Sequence, residues 1–274
     1  MTDQTGGRIR RGIADLPVPR DPGFDAIGAR SDRDTGGLVW KLALAALLAI
    51  VLVVPRLAGM RDVASRPSPD AITVVDDFAG AALDTTRWRS STSGVGPTVE
   101  ATDGHLVMRI PADAHEDAGA PGLIAGSFVT RCLVRGDYDV QASFALLEWQ
   151  HDLGVTLVLR EAVPGSAGIM RGQIPGDVYE TTIAHTPNTR TSDRSGTLRL
   201  VRSGQTVSSY YLRDGRWVRL ASGEASTTDV AFELTLWTDD AARTGLRWRE
   251  SGTSAPVAVA LDDFRLTAAT LVCP

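Results

Sequence analysis

The pattern of apolar and polar positions divides the chain into two parts. Residues 38–58 begin with an apolar run, LVWKLALAALLAIVLVV, that only Lys41 interrupts. From residue 71 onward the pattern changes to short segments in which apolar and polar positions alternate, as in HLVMRI, GTLRLVR and FELTLW. Alternation with a period of two is typical of strands that bury one face. The second part has no segment with the period of a long helix, so the sequence predicts an all-β domain over residues 71–274.

Turn residues separate the predicted strands at short intervals. In VRSGQTVSSYYLRDGRWVRLAS, the pairs Ser203-Gly204 and Asp214-Gly215 predict two tight turns that join three strands into a meander. Gly, Asp, Ser and Pro separate the other strands as well. Many short strands at this spacing are typical of a single β-sandwich or jelly roll.

The apolar run predicts a single membrane-spanning helix over residues 38–58. Leu38 to Val54 cover 17 residues, and a spanning helix needs about 20. Lys41 lies near one end, where its stem reaches the headgroups, and Trp40 suits the membrane interface. A cleaved signal peptide and a buried core helix are the alternatives, although the run has no polar face. Basic residues flank the run equally on both sides, so charge leaves the orientation open.

Polar segments lie on both sides of this run. Residues 1–37 mix Gly, Pro, Arg and Asp without apolar periodicity, which predicts a disordered cytoplasmic tail. Residues 59–70 contain RPSP and predict an extended linker. The length of the C-terminal part and its two cysteines favour an extracytoplasmic position for residues 71–274.

Composition and charge exclude several classes of function. The formal net charge is −5 over 274 residues, without a basic stripe, which argues against nucleic acid as a partner. The four histidines have no zinc-ligand spacing, and the sequence contains neither a G-x-S-x-G elbow nor a phosphate-binding loop. An acidic surface is ordinary for an extracytoplasmic domain and is compatible with calcium.

The chain has two cysteines, Cys132 and Cys273. In an oxidising compartment they would form a disulfide that closes a loop of about 140 residues, which the loop-entropy model values at about 4–5 kcal/mol. Two buried thiols are the alternative. The C-terminal tail would gain from a covalent tether, which favours the disulfide.

The same short phrase occurs near both ends of the predicted domain. VVDDFAG contains Asp76-Asp77-Phe78, and ALDDFRL contains Asp262-Asp263-Phe264. Together with DTTRW, DGHLVMRI and the meander, these phrases make residues 72–268 resemble the concanavalin A-like lectin/glucanase superfamily, including its bacterial laminin-G-like and family 16 glycosidase-like members. The resemblance implies a jelly-roll sandwich. It also implies that the two phrases lie on paired terminal strands and are not an internal repeat.

The resemblance further implies a structural calcium ion near these strand ends. By position, its ligands would be the backbone carbonyls of Asp77 and Gly104 and a carboxylate of Asp262 or Asp263. Calcium takes about 6–8 oxygen ligands, and clustered aspartates repel one another without a cation. Solvated carboxylates paired with arginine are the alternative.

Aromatic residues on polar strand faces are the candidates for ligand binding, because sugar rings stack on flat apolar surfaces. In FELTLW, alternation places Trp237 on the face opposite Phe232, and FALLEW places Trp149 opposite Phe144 in the same way. Further candidates are Trp248 and Tyr179. The alternative for each is packing in the core or beneath loops.

The catalytic motif of family 16 glycosidases, E-x-D-x-E, is absent from the sequence. The nearest segment, EWQHD, has Gln150 at the central position, and HDLG at 151–154 predicts a hairpin turn between SFALLEW and VTLVLR. The sequence therefore predicts a membrane-anchored, non-catalytic lectin-like domain that binds carbohydrate or cell-wall glycan. A protein-interaction or scaffold domain of an envelope complex, without sugar affinity, is the alternative, and a diverged glycosidase is less favoured.

Overall fold

The structure is a computed structural model, and its described residues all belong to a unit spanning Ala64–Pro274. The described ranges are 71–80, 82–117, 123–150, 154–163, 166–173, 176–184, 188–226, 228–239 and 255–274. The predicted tail, anchor and linker of residues 1–70 lie outside them. Within these ranges, no helix is long and apolar enough to cross a membrane.

Fifteen β-strands form the described part of the chain, as its alternating pattern predicts. In chain order they are β1 Ile72–Asp76, β2 Trp88–Ser93, β3 Thr98–Thr102, β4 His105–Ile110, β5 Leu123–Thr130, β6 Leu133–Glu148, β7 Thr156–Glu161, β8 Gly168–Gln173, β9 Asp177–Thr181, β10 Thr189–Arg190, β11 Ser195–Ser203, β12 Thr206–Arg213, β13 Arg216–Glu224, β14 Phe232–Asp239 and β15 Val257–Val272.

These strands make two antiparallel sheets. The first has eight strands in the order β13-β12-β11-β6-β15-β4-β3, with β1 also paired to β15. The second has seven strands in the order β10-β9-β8-β7-β14-β5-β2. Buried apolar side chains from both sheets form one core between them, to which Phe232, Leu234 and Leu236 contribute the predicted inner face of β14. The predicted all-β sandwich is confirmed, and its two sheets are consistent with a jelly roll.

The two terminal phrases lie side by side, as expected from the sequence. Strands β1 and β15 pair antiparallel, and Asp76 lies opposite Phe264. The rings of Phe78 and Phe264 both contact Trp88, at centroid distances of 5.9 and 4.7 Å. The carboxylate of Asp76 accepts a 2.7 Å hydrogen bond from the Trp88 indole N–H. Trp88 therefore contacts residues of both terminal phrases, and an internal duplication is not needed to explain them.

The predicted meander is present as β11, β12 and β13, which pair in succession. Asp214 and Gly215 join β12 to β13 with φ of 51° and 71°. A two-residue turn of this type needs positive φ at both central positions, which Asp-Gly supplies at low cost.

The predicted hairpin at HDLG is wrong. Strand β6 belongs to the first sheet and β7 to the second, so the chain crosses between the sheets after Glu148 instead of turning back on itself. Glu148 contacts the guanidinium of Arg109 at 3.4 Å. Turn residues mark where a strand ends, but contacts distant in sequence determine which strand the next one pairs with. The local pattern therefore predicted a hairpin that the structure does not have.

The disulfide expected from the sequence joins Cys132 and Cys273, which are separated by 141 positions. It lies directly beyond the last paired residues of β6 and β15, Leu133 and Val272. The covalent bond therefore closes the end of the longest strand pair and holds the C-terminus against the sandwich.

Candidate functional site

A cavity of about 590 Å³ lies between the sheets at the end of β6. We call it the Trp149 cavity. Its walls come from the end of β6, from β8 and β9 in the second sheet, and from β10 with the segment that follows it. The lining residues are Leu146, Trp149, Arg171, Asp177, Arg190, Thr191, Ser192 and Arg194.

Arg171 is a buried arginine that the alternation of β8 places on the core face. It lies in register between Leu157 and Tyr179, and its side chain is 1% exposed. Its Nε and Nη2 donate to the carbonyl of Asp193 at 3.2 and 3.1 Å. Its Nη1 donates to the Gly172 carbonyl at 3.0 Å and to the carboxylate of Asp177 at 3.2 Å. These partners make the burial of a charge tolerable.

Trp149 is held by the same groups. It is 6% exposed and belongs to the buried core together with Phe144, contrary to the open strand face that we expected for it. Its indole N–H donates to Asp177 Oδ1 at 3.1 Å. The Arg171 guanidinium lies 5.5 Å from the centre of the indole ring, a cation–π arrangement. Asp177 thus joins an aromatic ring to a buried cation, and the ring reaches the cavity wall in a defined orientation.

Tyr179 lies behind the cavity and not on its wall. It is fully buried and stacks on Tyr211 with ring centroids 4.2 Å apart. Its hydroxyl donates to Asp193 Oδ2 at 3.1 Å. Burial, together with the negative charge of Asp193, raises the pKa of Tyr179 well above its ordinary value. Its ring is inaccessible to a ligand, contrary to the exposed position that we expected, because the register of β8 and β9 turns it toward the core. Tyr179 instead holds Asp193, whose carbonyl accepts from Arg171.

Trp237 lies elsewhere, on the outer face of the second sheet. It is half-buried and in register with Ala125 and Thr156, on the face opposite Leu236 as the alternation of β14 predicts. Trp149 and Trp237 therefore do not share one site. Trp248 lies outside the described residues.

The outer face of the second sheet carries one carboxylate among the described side chains of its central strands β7 and β14. This is Glu233, whose Oε2 contacts Arg160 Nη2 at 2.6 Å and Nε at 2.7 Å. Glu180 is on the same face of β9, and burial raises its pKa. Three strand spacings separate β9 from β14, or about 14 Å, whereas a retaining glycosidase needs carboxyl groups about 5–5.5 Å apart. Glu180 and Glu233 therefore do not form such a pair.

The residues predicted to hold calcium lie on neighbouring strands. Asp77 directly follows β1, Gly104 is in the β3–β4 turn, and Asp262-Asp263 occupy an irregularity in β15, the strand that pairs with both β1 and β4. Asp262 Oδ2 lies 3.2 Å from His105 Nδ1, a contact that the sequence analysis missed. Among the described residues, no three His, Cys, Asp or Glu side chains are grouped to hold a metal ion. Because the expected set also uses backbone carbonyls, calcium stays a prediction.

The three arginines of the cavity were also missed. Arg171 had a detectable signal: in GIMRGQ it occupies the same alternating phase as Ile169, which is fully buried. Arg190 and Arg194 had none, because they lie in the two-residue strand β10 and in the segment that follows it, whose positions depend on the fold.

The geometry defines an all-β sandwich with a polar, tryptophan-lined cavity between its sheets, and comparison with known proteins adds little to it. No protein-family model and no curated protein matches the sequence. Among solved structures, a sialidase aligns at 12% identity and a TM-score of 0.49, covering 73% of this chain and 19% of that one. This chain therefore spans about a fifth of the sialidase.

Two glucanases align in the same way. A β-1,3-1,4-glucanase (lichenase) from a mouse hindgut metagenome has 16% identity and a TM-score of 0.47, with 72% of this chain and 99% of that chain covered. A Bacillus licheniformis β-glucanase has 13% identity and a TM-score of 0.47, with 71% and 97% covered. Similarity at this level transfers neither a family nor an activity to this chain.

Proposed function

We propose that the chain is a non-catalytic glycan-binding module of the concanavalin A-like type, held at the outer side of a cell membrane by residues 38–58. The observation that carries the proposal is the Trp149 cavity, where an oriented indole ring meets several polar groups. Its volume of about 590 Å³ falls in the range of small-ligand sites, which is about 300–1,000 Å³.

The chemistry of the cavity suits a short saccharide. A sugar has an apolar face that packs on an indole ring and hydroxyls that exchange hydrogen bonds with polar neighbours. Thr191 and Ser192 supply hydroxyl groups beside Trp149. Since Asp177 and Arg171 already hold the ring, binding requires little ordering of the protein, which favours affinity.

Two further features support the non-catalytic and extracytoplasmic parts of the proposal. The carboxylate on the central strands of the second sheet, Glu233, is neutralised by Arg160 and is too far from Glu180 to act with it. The Cys132–Cys273 disulfide is typical of an oxidising compartment. We also propose a structural calcium ion at Asp77, Gly104 and Asp262-Asp263, which would brace the paired terminal strands.

Binding of a polysaccharide panel to the full-length chain in detergent micelles tests the proposal, with and without a calcium chelator. Trp149→Ala is expected to weaken binding roughly tenfold or more. Trp149→Phe keeps a ring but loses the N–H that donates to Asp177, and its affinity for the glycan is expected to lie between those of Trp149→Ala and the parent. Trp237→Ala is the matched control and should bind as the parent does.

Three outcomes would contradict the proposal or a part of it. A folded protein that binds no glycan of the panel would favour the alternative, an interaction domain for an envelope protein. Binding that is lost in Trp237→Ala and kept in Trp149→Ala would move the glycan site to the outer face of the second sheet. Binding that is unchanged by chelator would argue against a calcium ion.

A further inference from the structure

The charge of the Trp149 cavity differs in sign from that of the whole chain. Among the described residues, three guanidinium groups and one carboxylate line it, an excess of two positive charges. The formal net charge of the chain is −5. A basic cavity in an acidic protein attracts anionic ligands, because its charge differs in sign from that of the rest of the chain.

The groups of this cavity divide into an inner pair and an outer pair. Arg171 and Asp177 form the inner pair, with side chains 1% and 10% exposed, and they hold each other and Trp149. Arg190 and Arg194 are exposed and form the outer pair. The nearby Asp193 directs its carboxylate to Tyr179 and its carbonyl to Arg171.

Both outer arginines lie against the backbone. Arg194 Nη2 donates to the carbonyl of Leu146 at 2.9 Å, which places this guanidinium beside the end of β6. The Arg190 guanidinium lies against Gly176. Gly176 has a φ of 76°, which favours glycine at this position.

We propose that the Trp149 cavity selects sugars that carry a carboxylate, such as hexuronates. A guanidinium has five N–H donors in a planar fork that matches a carboxylate, and Arg194 uses one nitrogen for Leu146. The carboxylate binds between Arg190 and Arg194, the sugar ring packs on Trp149, and Thr191 and Ser192 take its hydroxyls. This specificity rests on the proposed glycan binding and names its ligand class.

Titration of the full-length chain in detergent micelles with three oligosaccharides tests this specificity. The probes are oligogalacturonate, its neutral methyl ester and a sulfated dextran oligomer. Oligogalacturonate is expected to bind roughly tenfold more tightly than the methyl ester, because a charged hydrogen bond is lost on esterification. Arg190→Gln and Arg194→Gln should each remove most of this difference, so that the acid and its ester bind with similar affinity. Arg216→Gln, an exposed arginine at the start of β13, is the matched control and should behave as the parent does.

Each contrary result has its own meaning. Equal binding of the acid and its ester, unaffected by either arginine variant, overturns the acidic specificity and leaves glycan binding intact. Tighter binding of the sulfated oligomer than of oligogalacturonate overturns the choice of carboxylate. If the full-length chain shows a cooperative unfolding transition and yet binds neither the three probes nor the wider polysaccharide panel, that result overturns the glycan-binding function itself.

Discussion

The Trp149 cavity and the outer face of the second sheet both carry a tryptophan that alternation assigns to a polar position, yet their surroundings differ. Trp149 is oriented by a carboxylate and a buried guanidinium, and polar groups converge on the space beside it. Trp237 stands half-buried on a sheet face where the charged groups Glu233 and Arg160 neutralise each other. An aromatic residue on the polar phase of a strand is thus a weak indicator of a site. Polar groups that orient the ring and face the same space are a stronger one.

Loss of the disulfide has the largest expected effect and should weaken both regions together. Cys132→Ser combined with Cys273→Ser opens a loop of 141 residues and is expected to lower the free energy of unfolding by about 5 kcal/mol. Urea unfolding followed by tryptophan fluorescence and by far-UV circular dichroism should give coincident transitions. Separate transitions for the two probes would show that the sandwich is not one cooperative unit.

Truncation of the two tryptophans compares the regions directly. Trp149→Ala is expected to lower the free energy of unfolding by about 3–5 kcal/mol, because it empties a buried position and removes one of the donors to Asp177. Trp237→Ala should cost about 1 kcal/mol, since its side chain is only half-buried. Chemical denaturation of both variants measures the difference. Equal costs would remove the structural distinction between the regions.

Each region has an arginine–carboxylate pair, and the two pairs differ in how deeply they are buried. Arg171→Met removes the guanidinium that neutralises the nearly buried Asp177 and is expected to cost about 3 kcal/mol. Arg160→Met acts on a pair whose arginine is 49% exposed and should cost less than about 1 kcal/mol. Adding Asp177→Asn to Arg171→Met should recover part of the loss, because no charge is then left buried. A double variant as unstable as the single one would argue against this explanation.

In both regions a stabilising contribution should be lost as the pH rises, but over different pH ranges. Burial raises the pKa of Glu180, on the outer face, so its protonated form stabilises the fold at acid pH. That stabilisation is lost as the pH rises through the raised pKa, and Glu180→Gln should therefore gain a little stability at neutral pH but none at acid pH.

Tyr179, behind the cavity, has a raised pKa because of burial and Asp193. Its neutral form stabilises the fold below the ordinary tyrosine pKa of about 10, and this contribution is lost progressively above that pH. Thermal unfolding from acid to alkaline pH, with Tyr179→Phe as the comparison, measures both trends. If the parent protein and Tyr179→Phe lose the same stability at alkaline pH, groups other than Tyr179 are responsible for that loss.

Local pattern identified many of the strands, but the segment 160–180, which its Gly and Pro residues indicated as a long loop, contains β8 and most of β9. Alternation with a period of two identified β14 and its inner face, and Asp214-Gly215 marked a turn that requires positive φ. The pairing of the terminal strands was implied by the resemblance to the concanavalin A-like superfamily, and the Cys132–Cys273 disulfide was favoured over two buried thiols because a tether suits the C-terminal tail.

Only the tertiary structure decided the site. Whether the chain after Glu148 turns back or crosses to the other sheet depends on strand partners far away in sequence, and this crossing places Trp149 against Arg171 and Asp177. The same non-local register buries Tyr179. Side-chain alternation is a property of one strand and can be read from its residues. A cavity is a property of several strands and the chain between them, so its lining becomes visible only when the sheets are packed together.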